Sequence, residues 1–64
     1  MASSIISKID NSLTFRFDKK QKRVVNLGIC PAVEIDEFLD IQHILDLNRI
    51  RYRFLKNFEI EIVA

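Results

Sequence analysis

The sequence predicts an α+β domain: a small two-layer β-β-β-α-β unit in which an antiparallel sheet carries one helix packed on its apolar face. Three observations predict it. Apolar residues alternate by twos in several short runs, they recur at helical spacing in one long acidic run, and only one Gly and one Pro interrupt the chain. Charge divides along the same lines. Six Lys/Arg stand against two Asp/Glu from Met1 to Pro31, none against five from Ala32 to Asn48, and four against two from Arg49 to Ala64. The blocks carry +4, −5 and +2, so the formal net charge of +1 conceals a polarised surface.

The first run, Ser4 to Ile9, alternates through Ile5, Ser7 and Ile9 and is read as a strand that ends at the turn-forming Asp10-Asn11-Ser12. In the second, Leu13, Phe15 and Phe17 alternate with Thr14, Arg16 and Asp18. Alternation resumes from Arg23 to Ile29 through Val25, Leu27 and Ile29. A hairpin that pairs Phe15 with Val25 and Leu13 with Leu27 puts these apolar side chains on one face. Asp18 then opposes Lys22 across a loop of Lys19-Lys20-Gln21 or slightly longer. Gly28 permits a bulge or a close backbone approach, and Pro31 ends the strand series and suits the first turn of a helix.

From Ala32 to Asn48, Ile35, Phe38, Leu39, Ile41, Ile44 and Leu45 recur at helical spacing. Glu34, Asp36, Glu37 and Asp40 occupy the first half and Arg49 follows the end, which matches the helix dipole. The apolar arc is wider than one sheet face needs, leaving Asp36, Asp40 and His43 as the only fully polar stripe. Its surplus is available to a second subunit or to a partner. In the last segment Ile50, Tyr52, Phe54, Phe58, Ile60 and Ile62 fall on one side, with Arg51 and Arg53 on the other. Lys56 interrupts the series, which is read as one bent strand in preference to a hairpin turning near Leu55 to Asn57.

Sixty-four residues make a single domain, 1–64, near the size at which burial alone gives marginal stability. One Cys and one His exclude an internal disulfide and a four-ligand Cys/His zinc site, so apolar packing and self-association, in a homodimer, remain as supplements. Hydrophobic residues are 48% of the chain, too many for a disordered tail. The Met1-Ala-Ser-Ser start does not resemble a secretory signal, no apolar run is long enough to span a bilayer, and a lone cysteine fits a reducing compartment. The expected location is the cytoplasm, with no membrane association.

Candidate chemistry is sparse. Cys30 precedes the helix start but has no second Cys, and His43 lies too far along the helix to serve it as a base. Asp36, Asp40 and His43 share a helix face but supply too few ligands for a metal site. Glu59 and Glu61 alternate on the final strand as a solvent face paired with Arg16 or Arg23, and no nucleotide motif accompanies Gly28. No catalytic residue, metal or cofactor is therefore expected. The expected function is a small non-enzymatic protein-interaction module, a regulator, inhibitor or adaptor. It would bind a protein partner through the acidic helix (Glu34, Asp36, Glu37, Asp40, Ile41 and Ile44) and through a basic sheet edge or hairpin. The alternative is nucleic-acid binding by the hairpin tip and neighbouring strands, through Arg16, Lys19, Lys20, Lys22, Arg23, Arg51 and Arg53.

Overall fold

The computed structural model describes residues 1–63; Ala64, which the single-domain reading includes, lies outside the described residues. The elements are helix α1 (Ser3–Asp10), strands β1 (Phe15–Asp18) and β2 (Arg23–Asn26), helix α2 (Pro31–Leu47), and strands β3 (Tyr52–Phe54) and β4 (Ile60–Ile62). The strands form one antiparallel sheet in the order β1-β2-β4-β3, so the α+β class and the antiparallel sheet are as expected. Directly paired residues share a face. The pairings therefore gather Phe15, Phe17, Val24, Asn26, Tyr52, Phe54, Ile60 and Ile62 on the helix side. The opposite face, which no second layer covers, carries Arg16, Asp18, Arg23, Val25, Arg53 and Glu61.

The first element differs from expectation: residues 3–10 are a helix. Ile5 and Ile9 are as compatible with a helical i, i+4 pair as with strand alternation, and Ile6, an apolar residue out of phase with a period of two, fits the helix. Both Ile5 and Ile9 are buried in the core beside Phe15, Val24, Ile41, Leu45 and Ile60. Eight residues cannot hold a helix in isolation, so this burial sustains it.

The β1–β2 hairpin pairs Phe15 with Asn26, Phe17 with Val24 and Asp18 with Arg23, one residue out of the expected register. Such a slip exchanges the faces of a strand. Val24 is thus fully buried while Val25 turns outward, and Leu27 and Ile29 are exposed beyond the strand end. The turn accounts for the extra residue. The Asp18 Oδ1 accepts the Lys20 and Gln21 N–H groups at 2.9 and 3.1 Å, and Lys22 (φ 54°) supplies the left-handed residue for which the sequence offers no Gly or Asn.

Pro31 opens α2 as expected, and its C-terminus is a Schellman motif. The Arg49 N–H donates to the Asp46 carbonyl, the Ile50 N–H donates to the Leu45 carbonyl, and Arg49 holds φ 56° where glycine is the usual occupant. The segment 52–62 is the hairpin rather than the bent strand. Its turn, a 3-10 turn at Lys56–Phe58, sets Asn57 and Phe58 at φ 61° and 58°. Asn tolerates that region and Phe does not. Phe58 is held by an edge contact with Phe38 (centroids 5.3 Å), and the Asn57 carbonyl accepts the Asn26 Nδ2 at 2.9 Å.

Asn26 is the one amide side chain on the inner sheet face, and all of its bonding capacity is used. Its Oδ1 accepts from the Thr14 hydroxyl and the Gly28 N–H, and its Nδ2 donates to Glu34 Oε2 and the Asn57 carbonyl, each at 2.9 Å. It joins β1, β2, α2 and the last turn, and the Thr14 it satisfies is 0% exposed. Replacing Asn26 with Ala should cost about 2–3 kcal/mol in a urea titration, since it strands the Thr14 hydroxyl and frees two segments. Arg49→Gly should raise stability by about 1 kcal/mol by relieving the left-handed residue, and a loss on that change would refute the assigned helix end.

Candidate protein-binding edge

Strands of three or four residues leave many backbone groups without ladder partners, and side chains take their place. Along the free edge of β1 the Phe15 N–H donates to Ser12 Oγ at 3.1 Å and the Phe17 N–H donates to Asp10 Oδ1 at 2.8 Å. Just before β1 the Glu37 carboxylate accepts the Leu13 and Thr14 N–H groups at 2.7 and 2.9 Å, tying α2 to that end of the sheet. The Asn26 N–H, facing β4 where the chain curls away at Phe58, donates to Glu59 Oε2 at 3.1 Å. The β1 edge is thereby closed.

The β3 edge is different. The Val63 N–H donates to the Arg51 carbonyl and the Leu55 N–H donates to the Glu59 carbonyl across the hairpin, which turns the N–H and C=O groups of Tyr52 and Phe54 away from β4. Among the described residues no strand lies beyond them. The flank of α2 nearest this edge is fixed by two contacts. Phe38 touches the rings of Phe54 and Phe58 at centroid distances of 5.5 and 5.3 Å, and Asp46 Oδ1 accepts the Tyr52 hydroxyl at 2.7 Å. At 100° per residue, Ile35 and Gln42 fall in the arc between Phe38 and Asp46, and Leu39 lies about 20° beyond Asp46. Ile35 (58% exposed), Leu39 (53%) and Phe54 (55%) are large apolar side chains left in solvent beside an open strand. Sequence reasoning anticipated the surplus apolar arc on the helix but not this edge, because it merged β3 and β4.

The residues expected to bind a protein partner are dispersed. Ile41 is 2% exposed and belongs to the core, and Ile44 is half-buried against that core. Glu34 and Glu37 are committed to Asn26 and to the Leu13 and Thr14 amides. Asp36, Asp40 and His43 are exposed on the far side of α2, and among the described residues no group of three or more His, Cys, Asp or Glu gathers as a metal site. The cations of the nucleic-acid alternative are closer together. Arg16, Arg23 and Arg53 project from the uncovered sheet face, Arg51 shares the phase of Arg53, and Lys19, Lys20 and Lys22 occupy the hairpin turn. Glu61, expected to pair with Arg16 or Arg23, stands between Arg23 and Arg53 and forms its ion pair with Arg53. Glu59 caps a backbone amide and makes no such pair. Arg16 Nη1 donates to the Ser12 and Phe15 carbonyls. Cys30 is a half-buried free thiol at the start of α2. Among the described residues no helix is long and apolar enough to cross a membrane.

Tyr52 reports on the α2–β3 seam. The hydrogen bond to Asp46 raises its pKa above 10.0, with burial and the Asp46 charge adding and a Gln42 hydrogen bond opposing. Because the folded pKa lies above the unfolded one, this stabilisation is present below about pH 10 and is lost as pH rises through the folded value. Tyr52 is the only tyrosine, so an ultraviolet titration reads it alone. Its midpoint should fall on Asp46→Asn, and an unmoved midpoint would contradict the seam. Compared with protein-family models, curated proteins and solved structures, the chain matches none of them.

Proposed function

We propose that the chain is a small non-enzymatic protein-binding module of the cytoplasm, a regulator or adaptor that engages its partner at the β3 edge and the adjoining flank of α2. The observation that carries this reading is the contrast between the two sheet edges: side chains close one, while the other lies open beside Ile35, Leu39 and Phe54. Open strand edges and apolar helix flanks are recurrent sites of peptide recognition. Asp36 and Asp40 on the far side of α2 and the arginines of the uncovered sheet face give opposite charges to the two outer faces of the domain. That arrangement orients an approaching partner more than it adds affinity.

A second reading has its own support. Arg16, Arg23, Arg51 and Arg53 on the uncovered face and the three lysines of the hairpin turn form a cationic surface, interrupted by Asp18 and Glu61, of the kind that neutralises phosphates. Against it, the aromatic side chains of the sheet all lie on the opposite, helix-facing side, so no stacking platform accompanies the cations.

Affinity capture from the cell of origin, with and without nuclease and at low and high salt, separates the two. The protein-binding reading predicts a partner retained after nuclease and lost when Ile35 and Leu39 are both replaced by Ser. Those exposed substitutions should change stability by less than about 1 kcal/mol. Recovery of nucleic acid alone, released by salt and by neutralising Lys19, Lys20 and Lys22, would establish the second reading and overturn the first.

A further inference from the structure

We propose that the open edge of β3 accepts an extended segment of a partner protein as a fifth strand, and that this segment alternates apolar and acidic residues. The proposal rests on the protein-binding reading and specifies the chemistry of the partner. An incoming strand can pair only with the outward backbone groups of Tyr52 and Phe54, since those of Arg51, Arg53 and Leu55 face the 59–63 arm of the hairpin, to which the Arg51 carbonyl and the Leu55 N–H are bonded. The incoming residue between the two bonded positions then lies directly opposite Arg53 on the uncovered face. Its neighbours point to the helix side.

The two faces of the slot ask for different side chains. On the helix side, the position beside Phe54 meets a ledge of exposed Ile35 and Leu39, which an apolar side chain would cover. An acidic residue is disfavoured there, because Asp46 stands over Tyr52 at the other end of the slot. On the uncovered face the incoming residue meets Arg53, whose Nε is paired with Glu61 and whose terminal nitrogens remain to take a second carboxylate, with Arg51 in the same phase. A second copy of this chain is a poor occupant. Antiparallel pairing of β3 with itself places Arg53 against the Arg53 of the other copy at the close separation of a cross-strand pair, and like charges so placed repel. An arginine at this edge thus discourages self-pairing while favouring an acidic strand.

The test uses the isotope-labelled full chain and three short capped peptides, followed by amide chemical shifts. One peptide alternates valine and glutamate, one alternates valine and lysine, and the third is the glutamate peptide with its pairing amides N-methylated. The glutamate peptide should bind at least about fivefold more tightly than the lysine peptide, the order expected for exposed charge pairs. Shifts should fall on residues 51–55 and on Ile35, Leu39 and Gln42, and methylation should abolish saturable binding. Arg53→Gln should bring the preference between the two peptides below about twofold, with Lys20→Gln at the hairpin tip leaving it unchanged. Equal affinity for both peptides, indifference to methylation, or shifts centred on the hairpin tip would overturn the proposal. A partner captured equally well by the Arg53→Gln chain would overturn strand addition while leaving the binding-module reading standing. Failure of both peptide binding and partner capture would overturn both.

Discussion

The rest of this structure depends on side-chain oxygens that accept backbone N–H groups the short strands cannot pair. The described sheet is four strands of three or four residues, so much of its backbone lies at an edge or beyond the last rung of a ladder. These bonds lie at exposed or half-buried positions, so each contributes about 0.5–1.5 kcal/mol net. Several together are a sizeable share of the total stability of about 3–10 kcal/mol that a chain of this length has. Asp10, Ser12, Asp18, Glu37 and Glu59 each accept at least one backbone N–H, and Asn26 links four segments through its amide. The apolar core supplies the driving force, and these oxygens fix the geometry in which it is buried.

This use of the acids changes the meaning of the charge pattern. Seven of the nine carboxylates are engaged within the chain, counting Glu34 on Asn26, Asp46 on Tyr52 and Glu61 on Arg53 with the four that cap backbone. Asp36 and Asp40 remain on the outer side of α2. The cations mostly project into solvent. A net charge near neutrality therefore accompanies a surface whose uncovered sheet face is basic. The acidic helix, which sequence alone presented as a binding surface, is substantially a structural clamp.

Much of the fold was legible because it rests on periodicity. The long helix announced itself through Ile41, Phe38 and Leu45 at helical spacing behind Pro31, and the strands through alternating apolar residues around Phe15 and Ile60. The failures share a physical cause. Ile5 and Ile9 satisfy both a period of two and a spacing of four, and only burial decides between them. The Val24–Val25 pair satisfies either hairpin register, and the choice was made by Asp18 capping two turn amides with Lys22 left-handed. The 52–62 hairpin turns through Asn57 and Phe58 without a glycine, a conformation that Phe58 holds through Phe38 and that composition does not signal. The candidate edge was hidden for the same reason, since an open edge exists only once the hairpin does.

Native-state hydrogen exchange compares the two sheet edges in one experiment. The amides of Phe15 and Phe17, on an edge strand yet bonded to Ser12 and Asp10, should exchange nearly as slowly as core amides such as Val24. The amides of Tyr52 and Phe54, on an edge that no side chain closes among the described residues, should exchange much faster. Rapid exchange at Phe15 and Phe17, or equal protection at both edges, would contradict the claim that side-chain caps close one edge and leave the other open.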